Sequence, residues 1–251
     1  MRRGLGRAAL GLAVLAIYGW FLAATEVSLP RFLRGIPWMA DFVRRMVPPD
    51  LSVLSSAVVG ALQTLQIGVV GTTVAALLAL PLGFLSARNV APASLFYPAR
   101  TLLNFFRSID TMVYALFFVA SVGLGPFPGV LAVVTYTVMT LAKLYSEAIE
   151  GIEPGPVEAI AATGASRLQV LRFGVLPQVL PLFASYVLYR LETNIRAATI
   201  LGFVGAGGIG FYIQTYLRMI NYPAASAVLL VLVAMVMGVD FASSRLRARI
   251  V

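Results

Sequence analysis

Glu153-Pro154-Gly155-Pro156-Val157-Glu158-Ala159-Ile160-Ala161-Ala162-Thr163-Gly164 opens the longest polar stretch in the second half of the chain, residues 150–177, and its punctuation decides the fold. Pro156 suits the first position of a short helix, Glu158 falls in the positive first turn, and Gly164 can end the helix in the left-handed conformation. Ser166-Arg167-Leu168-Gln169 is a capping box that opens a second short helix. Gly174 is expected to end that helix, and Leu176-Pro177 opens an apolar stretch. Two short helices joined at a glycine, set between apolar stretches, make a compact knob outside the membrane. A capped connector without a partner explains the caps, but it leaves Ala159, Ala161 and Ala162 where a solvated loop normally carries charge. Small residues on a rigid knob suit a docking surface.

Outside the knob the chain is strongly apolar. Its 251 residues are 60% hydrophobic and 12% charged, with a mean hydropathy of +0.91, whereas an average soluble domain is roughly a quarter charged. That is too little polar surface to cover a water-soluble globule, so the composition reads as an all-α integral membrane protein. Lys and Arg outnumber Asp and Glu by 19 to 10. In so apolar a chain this excess marks membrane-flanking positions and anionic lipid headgroups, and no nucleic-acid partner is expected. The sequence has no Cys and no His, which excludes disulfides, thiolate or imidazole metal sites, Cys nucleophiles and His proton relays. Carboxylates, hydroxyls and arginines remain, a poor set for an enzyme and an adequate one for a conduit. No catalytic residue and no metal site is expected.

Six spans fit the apolar stretches, at about 8–25, 57–86, 106–124, 128–148, 177–197 and 223–243. The first follows a basic start, as a signal peptide does, but Thr25-Glu26-Val27 is not a small-residue cleavage site and an uncleaved helix is expected. Between the prolines of residues 26–56, Trp38, Met39, Phe42, Val43, Met46 and Val47 recur at 3–4 spacing. They form an interfacial amphipathic helix or a solvated loop. Gly68, Gly71 and Ala75 allow close helix packing in the second span, and Pro81 kinks it or marks its exit. An even span count puts both termini on one side. Arg2, Arg3, Arg7, Arg245, Arg247 and Arg249 place that side in the cytoplasm, with residues 149–176. Arg31, Arg34, Arg44 and Arg45 then fall outside, against the rule. The domain reading is residues 1–56 as first transmembrane helix plus extracytoplasmic or interfacial segment, and 57–251 as core.

The knob resembles the EAA loop of ABC importer permeases: Glu158-Ala159, Gly164 six residues after the Glu, and Leu176-Pro177 at the far end. Ile160 replaces the motif's third residue, Ala. From about Pro48 onward the chain is similar to the phosphonate importer permease group, whose close relatives handle phosphite, hypophosphite or phosphate. Pro48-Pro49-Asp50, Pro81-Leu82-Gly83, Ala87-Arg88-Asn89, Asn104-Phe105-Phe106-Arg107-Ser108-Ile109, Gly123-Leu124-Gly125-Pro126-Phe127, Glu147-Ala148-Ile149-Glu150 and the run Gly202–Gly210 carry the likeness. The resemblance implies a type I ABC importer transmembrane domain with a cytoplasmic coupling helix pair, in the bacterial cytoplasmic (inner) membrane. Glu158, Ala159, Gly164, Ala165, Leu176 and Pro177 are then the ATPase-coupling residues. The implied partners are two cytoplasmic ABC ATPase subunits, a second permease copy or paralogue, and an extracytoplasmic substrate-binding protein. ATP and Mg belong to the ATPase, and this chain holds no cofactor.

Other motifs compete with this reading. Gly205-Ala206-Gly207-Gly208-Ile209-Gly210 matches G-x-G-x-x-G, but no strand pattern or trailing acid surrounds it, so it reads as a packing or hinge segment. No P-loop sequence occurs. Glu147, Glu150 and Glu153 could do acid–base chemistry, but a solvated cluster is favoured. An ion-gradient-driven secondary transporter is the main rival. An intramembrane enzyme needs facing acids, and Asp110, Glu192 and Asp240 have no acidic partner in sequence. Arg107, Ser108, Asn194 and Arg196 are candidates for an anion path through the bilayer, because buried arginines there face protein or water. Glu192 and Arg196, four residues apart, could instead simply pair, which leaves Arg190 without a partner in sequence.

Overall fold

The computed structural model describes residues 2–250, with side chains from residue 11 to residue 246. Contacts divide the chain into two units, Met1–Val47 and Pro48–Val251. The side chains of Arg2, Arg3, Arg7, Arg247 and Arg249, which carry the orientation argument, lie outside the described residues.

The first unit holds helix α1 (Arg2–Ala24) and helix α2 (Leu29–Arg45). Helix α2 starts earlier than the prolines suggested. The Ser28 hydroxyl accepts the Arg31 N–H at 3.3 Å, Pro30 lies in the first turn, where backbone N–H groups lack helical partners, and Pro37 is carried inside the helix. Phe32, Leu33, Ile36, Met39 and Val43 share one side, with Arg31, Arg34, Asp41 and Arg45 opposite, the pattern of an interfacial helix. Arg31 pairs with Glu26 at 3.1 Å and Arg45 with Asp41 at 2.7 Å.

In the second unit Asp50 caps a short 3-10 turn, Leu51–Val53, by accepting the Ser52 N–H at 2.9 Å. The Ser52 hydroxyl and amide hold its carboxyl below the usual carboxylate range. There follow α3 (Leu54–Leu85), α4 (Ala93–Arg107), α5 (Thr111–Val122), α6 (Pro126–Glu150), α7 (Pro154–Ala162), α8 (Arg167–Val170), α9 (Leu176–Leu201), α10 (Ile209–Arg218) and α11 (Tyr222–Ile250). No strand occurs among the described residues. Among the described residues, four helical segments are long and apolar enough to cross a membrane, and up to six spans result if each of two bent pairs counts as one.

Residues 106–124 do not form the straight third span that was expected. The chain bends by 82° between α4 and α5: α4 ends at Arg107 with Ser108 as its cap, and Asp110 starts α5, its carboxylate accepting the Met112 N–H at 2.8 Å. With 12 residues, α5 is about 18 Å long, well short of a bilayer core.

Helix α3 packs through its small residues. A Cβ on Gly71 would lie 3.0 Å from Val133 Cβ, and one on Gly83 would lie 2.7 Å from Tyr145 Cβ; Gly68, Gly71 and Ala75 are all buried, as their spacing suggested. Close approach without side chains is how membrane helices gain packing energy when lipid is as apolar as they are. Tyr145 stacks on Phe183 at 4.0 Å, joining α6 to α9. Between the same three helices Asn194 donates to the Thr72 hydroxyl at 2.8 Å and accepts from the Thr137 hydroxyl at 3.2 Å. The glycine run after α9 is a packing segment: Gly208 has φ +81°, a Cβ there would meet the Thr64 hydroxyl at 2.7 Å, and the Ile209 N–H donates to that same hydroxyl at 2.8 Å.

Candidate coupling site and translocation path

The knob is helices α7 and α8, and its local structure corrects two details. Helix α7 begins at Pro154 with Glu153 as its cap residue, two residues before the expected start. Pro154, Gly155 and Pro156 all fit its first turn, where no N–H needs a helical acceptor. Glu158 is therefore the fifth helical residue, beyond the positive first turn, and cannot act through those amides. Gly164 does adopt the left-handed conformation, φ +81°, and the Ser166–Gln169 capping box is complete on both sides.

Gly174 does not end α8. The chain passes through a π-helical turn, Leu171–Val175, straight into α9. A Cβ on Gly174 would lie 3.2 Å from Val157 Cα, so the glycine lets α7 lie against this continuous rod. Gln178 fastens the same junction: it accepts the Glu153 N–H at 3.0 Å and donates to the Gly174 carbonyl at 2.7 Å. Sequence reading missed Gln178, although an amide directly after Leu176-Pro177 at the start of an apolar span was a visible signal.

Glu158, Ala159 and Gly164 are exposed, Ala165 and Leu176 are half-buried, and Pro177 is exposed in the first turn of α9. Leu176 packs on the core that holds Tyr145 and Val179. Concavities flank the knob. One of about 620 Å³ separates it from the 89–92 loop and is lined by Val157, Ala161, Ala165 and Arg167. Another of about 470 Å³ is lined by Ile160, Thr163, Gly164, Ala165, Gln169 and Phe173. Leu168 is 73% exposed and Phe173 59%, two large apolar side chains open on the knob.

The three glutamates before the knob do not converge on one another. Glu147 pairs with Lys143 at 3.0 Å. Glu150 accepts from Arg100 at 2.6 Å and from the Arg88 N–H at 2.9 Å, tying α4 and the 88–92 loop to the end of α6. Among the described residues no group of three or more His, Cys, Asp or Glu could hold a metal ion.

The four path candidates are dispersed. Arg107 and Ser108 are exposed at the α4–α5 bend, where the Ser108 hydroxyl donates to the Phe105 carbonyl at 2.7 Å. Asn194 is buried in the α3–α6–α9 seam, and Arg196 projects from another side of α9. Arg196 bonds Glu192 at 2.7 Å and Asp240 of α11 at 2.8 Å. Thus Glu192 and Asp240, which have no acidic neighbour in sequence, meet on one guanidinium, a juxtaposition of α9 and α11 invisible to sequence spacing. Arg190 differs: it is 9% exposed, stacks 5.2 Å from the Tyr136 ring centroid, and its Nε and Nη2 have no hydrogen-bond partner.

A helical bundle with apolar spans, a polar seam and an external helix-pair knob defines a multi-pass membrane permease with the type I importer transmembrane fold. The chain belongs to the family of binding-protein-dependent transport system inner membrane components, which matches residues 79–251. It is 42% identical over 246 residues to the phosphite transport system permease protein PtxC of Stutzerimonas stutzeri, covering 98% of this chain and 89% of that one. It is 39% identical over 252 residues to the phosphate-import permease protein PhnE of Mycolicibacterium smegmatis, covering this chain fully and 46% of that one. A chain of the MetNI methionine ABC transporter, solved in inward-facing conformations, superposes with a TM-score of 0.71 at 25% identity, over 80% of this chain and 99% of that one.

Proposed function

We propose that this permease forms the translocation path for a phosphorus oxyanion (phosphite, phosphonate or phosphate) in an ATP-driven importer of the bacterial cytoplasmic membrane. The observation that carries the proposal is the knob: a glycine-jointed helix pair, its second helix closed by a complete capping box, with exposed Leu168 and Phe173. It stands on a chain 42% identical to a phosphite system permease. Two ATPase subunits serve the permease pair, one docking on α7 and α8 of each permease, with Glu158, Ala159, Gly164 and Ala165 in or beside the contact and Leu176-Pro177 joining it to α9. ATP and Mg are bound by those subunits. A second permease, identical or paralogous, completes the path, and a binding protein delivers the substrate from outside. Arg107, Ser108, Asn194 and Arg196 stay candidates for its polar lining.

The test is reconstitution of the permease with its co-expressed ATPase and binding protein in proteoliposomes. ATP hydrolysis and uptake should rise when the binding protein is loaded with phosphite, a phosphonate or phosphate. Stimulation by none of these three sinks the substrate assignment. Uptake by the permease alone, driven by an ion gradient without ATPase, sinks the importer reading and favours a secondary transporter.

A further inference from the structure

A charged guanidinium buried at membrane depth needs a reason. Arg190 lies fourteen residues into α9, about 21 Å along the helix, and so within the depth of a bilayer core roughly 30 Å thick. A charge there is expensive and is retained where it works on an ion path or pairs with another group. Among the described residues, no ion pair includes Arg190, and Nε and Nη2 meet no acceptor. The face of Tyr136 covers the guanidinium, which leaves the in-plane Nε–Nη2 edge unused. That edge presents the forked donors that fit two oxygens of a tetrahedral oxyanion.

Arg196, the other arginine on this half of α9, is already spoken for. Its guanidinium is engaged by the carboxylates of Glu192 and Asp240, so its charge is already matched. Arg190 alone of the two offers an uncompensated positive charge. Asn194 lies one turn further along the same side of α9, and Thr137 adjoins Tyr136 on α6. The polar seam of Thr72, Thr137 and Asn194 thus lies about one helical turn from Arg190 along α9.

We infer that Arg190, covered by Tyr136, is the oxyanion-binding group of the translocation path, taking a tetrahedral phosphorus oxyanion on its Nε–Nη2 edge. This inference rests on the importer reading above. In the present conformation the edge is buried, so the anion meets it when α6 and α9 part during alternating access, and α9 is the helix that the knob moves.

The test uses the full permease–ATPase complex with its binding protein. Arg190→Met keeps length and volume but removes the charge, and Arg190→Lys keeps the charge without the fork. We expect Arg190→Met to lower phosphite uptake at least tenfold while the complex melts no lower than wild type, because an unpaired buried charge has been replaced by an apolar chain. Arg190→Lys should recover part of the uptake. A bracing arginine predicts the opposite, a lower melting temperature with uptake falling only as assembly is lost. A second readout does not depend on turnover. Tyr136→Cys places a single thiol in a chain that has no Cys. An anionic thiosulfonate should modify it faster than a cationic one, and phosphite should protect it. Adding Arg190→Met should erase both effects. If wild type carries phosphite and Arg190→Met carries it equally well, the inference fails and the importer reading stands. If wild type carries no phosphorus oxyanion, both fail together.

Discussion

Two glycines on the knob allow a controlled test of coupling. Gly155 and Gly164 are both exposed, and a Cβ added to either meets nothing within 4 Å, so neither substitution clashes. They differ in backbone alone: Gly164 has φ +81°, whereas Gly155 lies in the first turn of α7. Alanine at 155 should gain about 0.5–1 kcal/mol of helix stability. Alanine at 164 should cost about 1–2 kcal/mol of left-handed strain, which shifts the population of the native turn by roughly 5- to 30-fold. Because the turn is exposed and held by local bonds from Thr163 N–H and Gly164 N–H to the Ile160 and Ala161 carbonyls, insertion and assembly should be unaffected. Uptake and binding-protein-stimulated ATP hydrolysis are measured on the same proteoliposomes. Gly155→Ala should transport within about twofold of wild type. Gly164→Ala should lose uptake by about the factor of the strain while hydrolysis continues, and Gly164→Val should lose more, its branched side chain tolerating φ > 0 least. Equal transport by Gly155→Ala and Gly164→Ala would refute the claim that coupling depends on this turn.

Gly83→Ala pushes a methyl group against Tyr145 Cβ. It should destabilise the bundle by about 1–3 kcal/mol, seen as a lower melting temperature in detergent; an unchanged value would mean that α3 and α6 do not meet this closely. Asn194→Leu removes two interhelical hydrogen bonds, each about 0.6 kcal/mol in a membrane protein. The expected loss is about 1 kcal/mol, and a stabilised variant would show that the seam exists for transport alone. For topology, single cysteines at Leu124 and Ser166 should label from outside and from inside respectively in intact cells. Outside labelling at Ser166 would end the docking proposal.

The knob was largely legible because its information is local. A left-handed glycine and a capping box are written within six residues, Gly164 to Gln169, and both are present as read. What the sequence hid was non-local or degenerate. Three candidate starts, Pro154, Gly155 and Pro156, are equally compatible with a first turn, and the wrong choice moved Glu158 out of its supposed role. Gly174 reads as a stop signal, but here its missing side chain admits Val157 of another helix. The α4–α5 bend had a local signal, Arg107-Ser108 followed by Asp110 before Thr111, which a span drawn over 106–124 runs across; the size of the bend is set by packing that no local signal carries. The Arg196–Asp240 pair joins residues 44 apart, and no spacing rule reaches that far. Arg190 was visible as unpartnered in sequence, but its burial and its Tyr136 cover required the fold.

The continuity of α8, the π-helical turn and α9 ties the knob to the seam mechanically. From Arg167 to Leu201 the chain has no non-helical break, so Arg190 stands on the same rod as the capping box, about 35 Å away along the axis. Helix α7, by contrast, is tied to that rod at its base through Gln178 and Gly174, and at its far end only through the Gly164 turn. A partner that closes on the knob therefore pushes one lever with two attachments, and the rod transmits the displacement because packed helices shift as units. The π turn sits where the rod leaves the knob for the core, with Gly174 and Val175 buried on it, the place where a helix can absorb a change of direction without losing its hydrogen-bond ladder. On the other side, Glu150 clamps α4 and the 88–92 loop to the end of α6. Under the proposed coupling α9 is then the driven helix and α6 the held one, and the seam expected to open is the α6–α9 contact that carries Tyr136 and Arg190.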